Sequence, residues 1–332
     1  MLTMLPSFIY IFFIIVGTWI SISSLSTFGM WLGLEFNLMA FIPMIINLEN
    51  NKKSSEAAIK YFLTQAIASL MVIMSFMMYF FHSNLIITNI PNLILTISLT
   101  MKLGMAPFYL WFPEVMEGLS WPNVLILLTW QKISPLVIIS LFFNMKMLVI
   151  LSMLSAMLGA ILGLNQTSMR KILSYSSIAH LGWITSILCF NSNMWIIYFL
   201  IYSFTSFIMV FAFMTYNINY FSQIPLMKST KKKMIIFINM LSLGGLPPLL
   251  GFFPKLIAFY ILKKSYPMLM ILISSSLITL YFYLRICFST FTLYNQMKLW
   301  MYKEISKKKM FTLSFLSFLT LIGMIPLSIL FF

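Results

Sequence analysis

Five ionisable side chains lie deep inside long apolar stretches: Glu35 in WLGLEFNLM, Lys102 in LTMKLGMAPFYLWFPE, Lys132 in TWQKISP, His180 in YSSIAHLGW and Lys255 in GFFPK. A charge at the centre of a membrane helix costs about 2.5–3.5 kcal/mol on insertion scales. Such groups are therefore expected in pairs or in hydrated interior sites. One acid, one imidazole and three amines suit proton transfer. Burial in general disfavours the charged form of a group, and a nearby opposite charge restores it. An acid that moves toward or away from an amine therefore loads or unloads a proton. Side chains on helices packed about 8–10 Å apart do not reach one another directly, so bridging water and hydroxyls are required. Tyr175, Ser176 and Ser177 beside His180 supply hydroxyls. Lys60 and Arg285 fall near helix ends, where long cationic side chains reach out to the membrane surface.

These residues need spanning helices to hold them, and the composition provides for that. The 332-residue chain is 61% hydrophobic and 8% charged, against about 25% charged in soluble domains. Apolar runs come near the 20 residues of a spanning helix, not in the ten-residue alternating segments of a barrel. The segment MLTMLPSFIYIFF has neither a basic leader nor a small-residue cleavage site and reads as a first span. The two cysteines, Cys189 and Cys287, lie in apolar runs. They fit neither the four-thiolate spacing of an iron–sulfur cluster nor a disulfide framework. All six acids are glutamates, and 29 Met and 33 Phe accompany them, a mix that fits an AT-rich, organellar genome.

Eleven helices are expected, approximately Pro6–Ile22, Leu25–Asn47, Ala57–Phe81, Pro91–Phe112, Trp121–Phe143, Met147–Gly163, Ile172–Phe190, Met194–Tyr216, Met234–Leu262, Pro267–Leu293 and Met310–Leu330. Glu35 falls about 15 Å along the second, near mid-depth. The connections are too short to hold a soluble nucleotide or flavin domain. Lys52, Lys53, Arg170, Lys171, Lys228, Lys231, Lys232, Lys233, Lys298, Lys303, Lys307, Lys308 and Lys309 belong to connections on one side; Lys146, Lys263 and Lys264 are on the other. Basic loops stay on the inner side, which places the N-terminus inside and the C-terminus outside. The formal charge of +15 is explained by this orientation and not by nucleic acid.

Leu103-Gly104-x-x-Pro107 recurs as Leu243-Gly244-x-x-Pro247, and both copies run on into aromatics, FYLWFPE and PLLGFFPK. An odd number of helices separates them, so the second copy is expected to cross the membrane in the opposite sense. This predicts an all-α polytopic protein of two inverted five-helix repeats, about 1–145 and 146–293, with broken helices 4 and 9 and an additional helix at about 310–330. Gly104, Pro107, Gly244, Gly245, Pro247 and Pro248 are the expected break residues. A broken membrane helix is tolerated where its freed backbone is buried in protein or lines a wet cavity, so the two breaks mark the expected functional pathway.

Together, Glu35, Lys102 in a broken helix, Lys132 and Lys255 resemble the buried charge series of the antiporter-like subunits of respiratory complex I, a family related to Mrp-type cation/proton antiporters. KLGMAPFYLWFPEV, TWQKISP, NQTSMRKILSYSSIAHLGW and LSLGGLPPLLGFFPK carry the likeness, which covers essentially the whole chain. The eleven helices resemble the shortened animal form of a family whose bacterial members have three more at the N-terminus. The resemblance implies a proton-translocating module of NADH:ubiquinone oxidoreductase in the mitochondrial inner membrane, N-terminus in the matrix and C-terminus in the intermembrane space. It implies that Glu35 partners Lys102, and that Lys132 and Lys255 continue a mid-membrane hydrophilic axis; the hydroxyls beside His180 add that residue to the expected proton relay. It also implies contacts with other membrane-arm subunits and with lipids, cardiolipin among them. The chain itself has no Gly-rich nucleotide loop and no cluster ligands; NADH, flavin, iron–sulfur clusters and ubiquinone are expected on partner subunits. Three rival readings remain at this point: a structural scaffold with fixed, dry ion pairs, a free-standing cation/proton antiporter and a quinone-reducing enzyme.

Overall fold

The computed structural model describes residues 4–46, 51–81, 89–190, 193–227, 229–292 and 307–322. The helices among them are α1 (Met4–Ser23), α2 (Thr27–Ile45), α3 (Lys52–Phe81), α4 (Asn89–Leu103), α5 (Trp111–Gly118), α6 (Trp121–Leu128), α7 (Trp130–Leu141), α8 (Met145–Gly163), α9 (Met169–Phe190), α10 (Met194–Tyr216), α11 (Thr230–Gly244), α12 (Phe252–Ile261), α13 (Tyr266–Thr292) and α14 (Lys307–Ile322). No strand forms among the described residues. Among the described residues seven stretches are long and apolar enough to cross a membrane, with α6 and α7 together making one of them. Shorter apolar helices, α4 and α12 among them, make up further expected spans.

Helix forms in each of the eleven expected segments, and spans 4 and 9 are each split, as expected, into α4 with α5 and α11 with α12. Two differences stand out. Span 5 is also interrupted, at Thr129, which the sequence reading missed. Several cations placed in connections are helical instead: Lys52 and Lys53 open α3, Arg170 and Lys171 open α9, and Lys231, Lys232 and Lys233 open α11. Lys233 is buried and its Nζ donates to the Pro225 carbonyl at 2.6 Å, so it is a structural tether. Lys228, Lys298 and Lys303, and the expected continuation of the last helix to Leu330, lie outside the described residues.

The chain divides into two compact units, Met1–Ser152 and Met153–Phe332. In the first, α1 and α2 approach closely enough that a Cβ on Gly33 would strike the backbone of Ser21, and one on Gly17 the carbonyl of Gly33. Small residues at such crossings let membrane helices gain dispersion contact that lipid tails do not supply. α3 packs on α2, α4 and α5, and α7 packs on α4. In the second unit α9 is the hub. Nearly all of its side chains are buried, including Ser174, Ser176, Ser177, Thr185 and Ser186. Gly159 of α8 lets the backbone of α9 approach at Tyr175 and Ala179, and α10, α12 and α13 cover its other sides. Large apolar side chains such as Phe12, Trp19, Leu70, Met270 and Phe311 remain exposed, as expected of surfaces that face lipid.

Candidate functional site

Both helix breaks are built by the same device. At the first, Gly104 takes φ +71, its N–H bonds the Met101 carbonyl at 3.1 Å, and Met105 N–H bonds Thr100 at 3.0 Å. At the second, Gly245 takes φ +76, its N–H bonds Ser242 at 3.1 Å, and Leu246 N–H bonds Leu241 at 3.3 Å. This is the Schellman arrangement, in which one left-handed residue just past the helix end lets two amides satisfy the last carbonyls. Glycine is needed there because a Cβ is disfavoured at such φ. Gly244, expected to be part of the break, is instead the last residue of α11; only one residue of the turn is left-handed, and here it is Gly245. Gly104 therefore corresponds to Gly245, Pro107 to Pro248, and Trp111-Phe112-Pro113-Glu114 to Phe252-Phe253-Pro254-Lys255, one residue on from the register the sequence suggested.

Each break offers a cation the negative end of a helix. Lys102 sits in the last turn of α4. Lys255, from the half-helix beyond its break, reaches back so that Nζ donates to the Gly244 carbonyl at the end of α11, at 2.7 Å. A cation at a helix C-terminus gains about 0.3–1 kcal/mol, up to about 2 in partly buried settings. That offsets part of the insertion cost and gives a reason for lysines and helix breakers to share these segments.

In the first unit Lys102 and Lys132 line a single cavity of about 20 Å³, large enough for about one water. Gln65, Gln131, Asn37, Tyr61 and Ser134 supply its other polar walls. Gln131 Nε2 donates to Asn37 Oδ1 at 2.9 Å, and Tyr61 Oη lies 3.4 Å from Gln131 Oε1. Gln65 Nε2 donates to the Lys102 carbonyl and Trp111 Nε1 to that of Met101, both at 3.2 Å, so the open end of α4 is held from two directions. Lys132 Nζ stands 5.4 Å from the centre of the Phe112 ring, within cation–π range. The buried Ser134 hydroxyl has no protein partner and faces this polar space.

Lys132 is also at a helix irregularity. Thr129 leaves the helix between α6 and α7, its hydroxyl bonds back to Leu125 at 2.7 Å, and Lys132 N–H reaches only to Thr129. Pro135 follows inside α7 and has no N–H to give the carbonyl four residues earlier, that of Gln131. Glu35, half-buried in mid-α2, does not line the cavity. It makes no direct ion pair with Lys102.

In the second unit His180 Nδ1 is 3.0 Å from Tyr198 Oη, and its ring lies 5.0 Å from that of Tyr202. Ser176 and Ser177, on the same helix, donate to the Leu173 and Ser174 carbonyls, and the buried Tyr283 hydroxyl has no hydrogen-bond partner. Tyr198 and Tyr202 thus set two phenols against one imidazole. The second break is also held from α14: the Thr320 carbonyl accepts Leu250 N–H at 3.0 Å, and its hydroxyl lies 3.4 Å from Asn239 Oδ1. Of the residues expected from sequence, the structure brings Lys102 and Lys132 together, surrounds His180 with tyrosines and docks Lys255 on a helix end. Asn37, Tyr61, Gln65, Gln131 and Ser134 were missed, although uncharged polar residues inside spans were the available signal.

The family model described as NADH:quinone oxidoreductase/Mrp antiporter, TM matches residues 24–282. The chain is 44% identical over 331 residues to NADH-ubiquinone oxidoreductase chain 2 of Anopheles gambiae, covering 97% of each. It is 40% identical over 324 residues to the protein of the same name from Locusta migratoria, covering 94% of this chain and 93% of that one. Its fold matches a chain in the structure of respiratory complex I from Thermus thermophilus with a TM-score of 0.84 at 21% identity, covering 97% of this chain and 78% of that one.

Proposed function

The chain belongs to the NADH:quinone oxidoreductase/Mrp antiporter transmembrane family, and from that membership we propose that Lys102 and Lys132 pass protons through the cavity they share. The protein is a core membrane-arm subunit of respiratory complex I, a proton-translocating NADH:ubiquinone oxidoreductase, and its partners are the other membrane-arm subunits. It works in the mitochondrial inner membrane. The bias of basic residues toward one set of helix ends supports a matrix N-terminus and an intermembrane-space C-terminus. NADH, flavin, iron–sulfur and ubiquinone chemistry is carried by the partners, and this chain's part is electrostatic.

The observation that carries the relay is the pair of buried lysines on one water-sized cavity, beside two distorted helices. Two ammonium groups on one small space repel, so a proton arriving at one favours release from the other. Glu35, set back from the cavity, biases Lys102 without neutralising it by contact. Gln65, Gln131 and Asn37 fix the walls, and Ser134 offers a hydroxyl. In the second unit the His180–Tyr198–Tyr202 group and Lys255 supply the corresponding steps.

The test is Lys102→Met against Lys102→Arg in an organism whose homologue can be edited, with assembly, oxidoreductase rate and protons pumped per electron all measured. Methionine keeps the bulk and removes the charge. Arginine keeps the charge but scarcely deprotonates. Both variants are expected to assemble and to lose much of the pumping and the coupled quinone reduction. Normal pumping in fully assembled Lys102→Met complexes would overturn the proposed role, and full rescue by arginine would reduce Lys102 to a static partner.

A further inference from the structure

The first unit has a second concavity, about 190 Å³, lined by Lys53, Glu56 and Lys60 of α3 and by Glu114 and Glu117 of α5. The same two helices wall the two-lysine cavity: Tyr61 and Gln65 follow Lys60 on α3, and Trp111 and Phe112 precede Glu114 on α5. Lys60 to Gln65 is about 7.5 Å along the helix axis. The charged pocket and the buried cavity are thus separated by little more than one turn of each helix.

An aromatic partition occupies that turn. The Tyr61 ring meets Trp111 at 5.9 Å and Phe41 at 5.2 Å, and all three are buried. Tyr61 also carries the polar link onward, through Gln131 to Asn37. On the open side Lys60 Nζ and Glu114 Oε2 are 2.6 Å apart, and this ion pair ties α3 to α5 beside the partition. Farther along, Gly118 lets α5 press against the backbone of Lys53 and against Ala57, so the two helices are fixed by close backbone contact at one end and joined by the ion pair and the Tyr61–Trp111 ring contact toward the other. About half of each paired side chain is exposed. Exposed pairs are weak and readily broken, which suits a contact that must open repeatedly and not one that holds the fold.

We propose that this charged pocket is the inner mouth of the relay and that the Lys60–Glu114 pair is a latch over the Tyr61–Trp111 partition. While the pair holds, the partition keeps the two-lysine cavity closed. When the pair parts, the Tyr61 and Trp111 rings are left to separate, and water joins the mouth to Lys102 and Lys132. Glu114 and Lys255 hold the same place relative to their breaks, four residues into the matching Trp/Phe-Phe-Pro sequences. The first unit places its charge at the surface, and the second buries it on a helix end. The inference rests on the relay reading above, and its test has a readout separate from pumping.

That test is chemical access to the cavity in the assembled complex. Ser134→Cys puts a thiol on the cavity wall at almost no cost in volume. Its modification by methyl methanethiosulfonate is followed by mass spectrometry, with the buried Cys189 as an internal control. Glu114→Gln and Lys60→Gln are each expected to raise the rate at the introduced thiol about two- to fivefold, the range an exposed ion pair carries. Cys189 should not change, and the exchanged pair Lys60→Glu with Glu114→Lys should restore the parent rate. Equal rates in all variants would overturn the latch, as would a parallel rise at Cys189. Failure of both single variants to assemble while the exchanged pair assembles would make the pair a structural clamp and overturn it too. Normal pumping in Lys102→Met would refute the relay reading while leaving these labelling rates unaffected.

Discussion

Gly245→Ala should uncouple the second unit by moving one lysine. Gly245 has φ +76, and a Cβ built there would lie 2.8 Å from Lys255 Nζ and 3.0 Å from its Cδ and Cε. Left-handed backbone costs an alanine roughly 1–2 kcal/mol, which the fold should survive. The lysine side chain is flexible and can yield, but only by leaving the Gly244 carbonyl. A hydrogen bond from a charged donor is worth about 1.5–3 kcal/mol. Its loss lowers the docked population of Lys255 by about one to two orders of magnitude. The assay is a double-mutant cycle on protons pumped per electron in assembled complexes, using Gly245→Ala, Lys255→Met and both together. If glycine acts through the lysine, the second change should add nothing to the first. Additive losses, or normal pumping in Gly245→Ala, would show that docking of Lys255 on α11 is not part of the relay.

Other outcomes follow from the same geometry. Tyr198→Phe deletes the hydroxyl 3.0 Å from His180 Nδ1; it should assemble normally and pump fewer protons per electron, whereas unchanged pumping would remove His180 from the path. Gly33→Val would drive a branched side chain into the α1–α2 contact at Ser21, so native gels should show little assembled complex. The isolated chain in liposomes should show no sodium-driven proton exchange in a pH-dye assay; robust exchange would favour a free-standing antiporter.

The sequence displayed the helices and the two breaks because both are local. Runs of apolar residues fix a span, and a Gly followed three residues later by Pro fixes an end. The register of the second break was not legible, since adjacent Gly244 and Gly245 each satisfy the motif and only the hydrogen bonds decide between them. Thr129 was missed because threonine seldom ends a helix by itself; its hydroxyl bonds back to Leu125, and Pro135 follows in α7. The gap between Glu35 and Lys102 was equally hidden. Helical spacing places Leu34, Asn37 and Leu38 of α2 on the cavity and turns Glu35 aside, a rotation that a list of charges does not record. The cavity's uncharged walls, Gln65 above all, depend on which helices become neighbours.

The contact between Thr320 and the second break also bears on how the protein is made. Leu250 N–H, freed inside the interrupted helix, finds its partner in the Thr320 carbonyl of α14, and α14 is the last helix of the described chain to be synthesised. Until it inserts, that amide and the nearby Asn239 lack this support in apolar surroundings, at a cost of about 1–3 kcal/mol for an unmet buried group. Lys255 is docked on the same break, so its setting is complete only once translation has passed residue 320. A frameshift before codon 320 would therefore be felt far upstream, at the seat of Lys255.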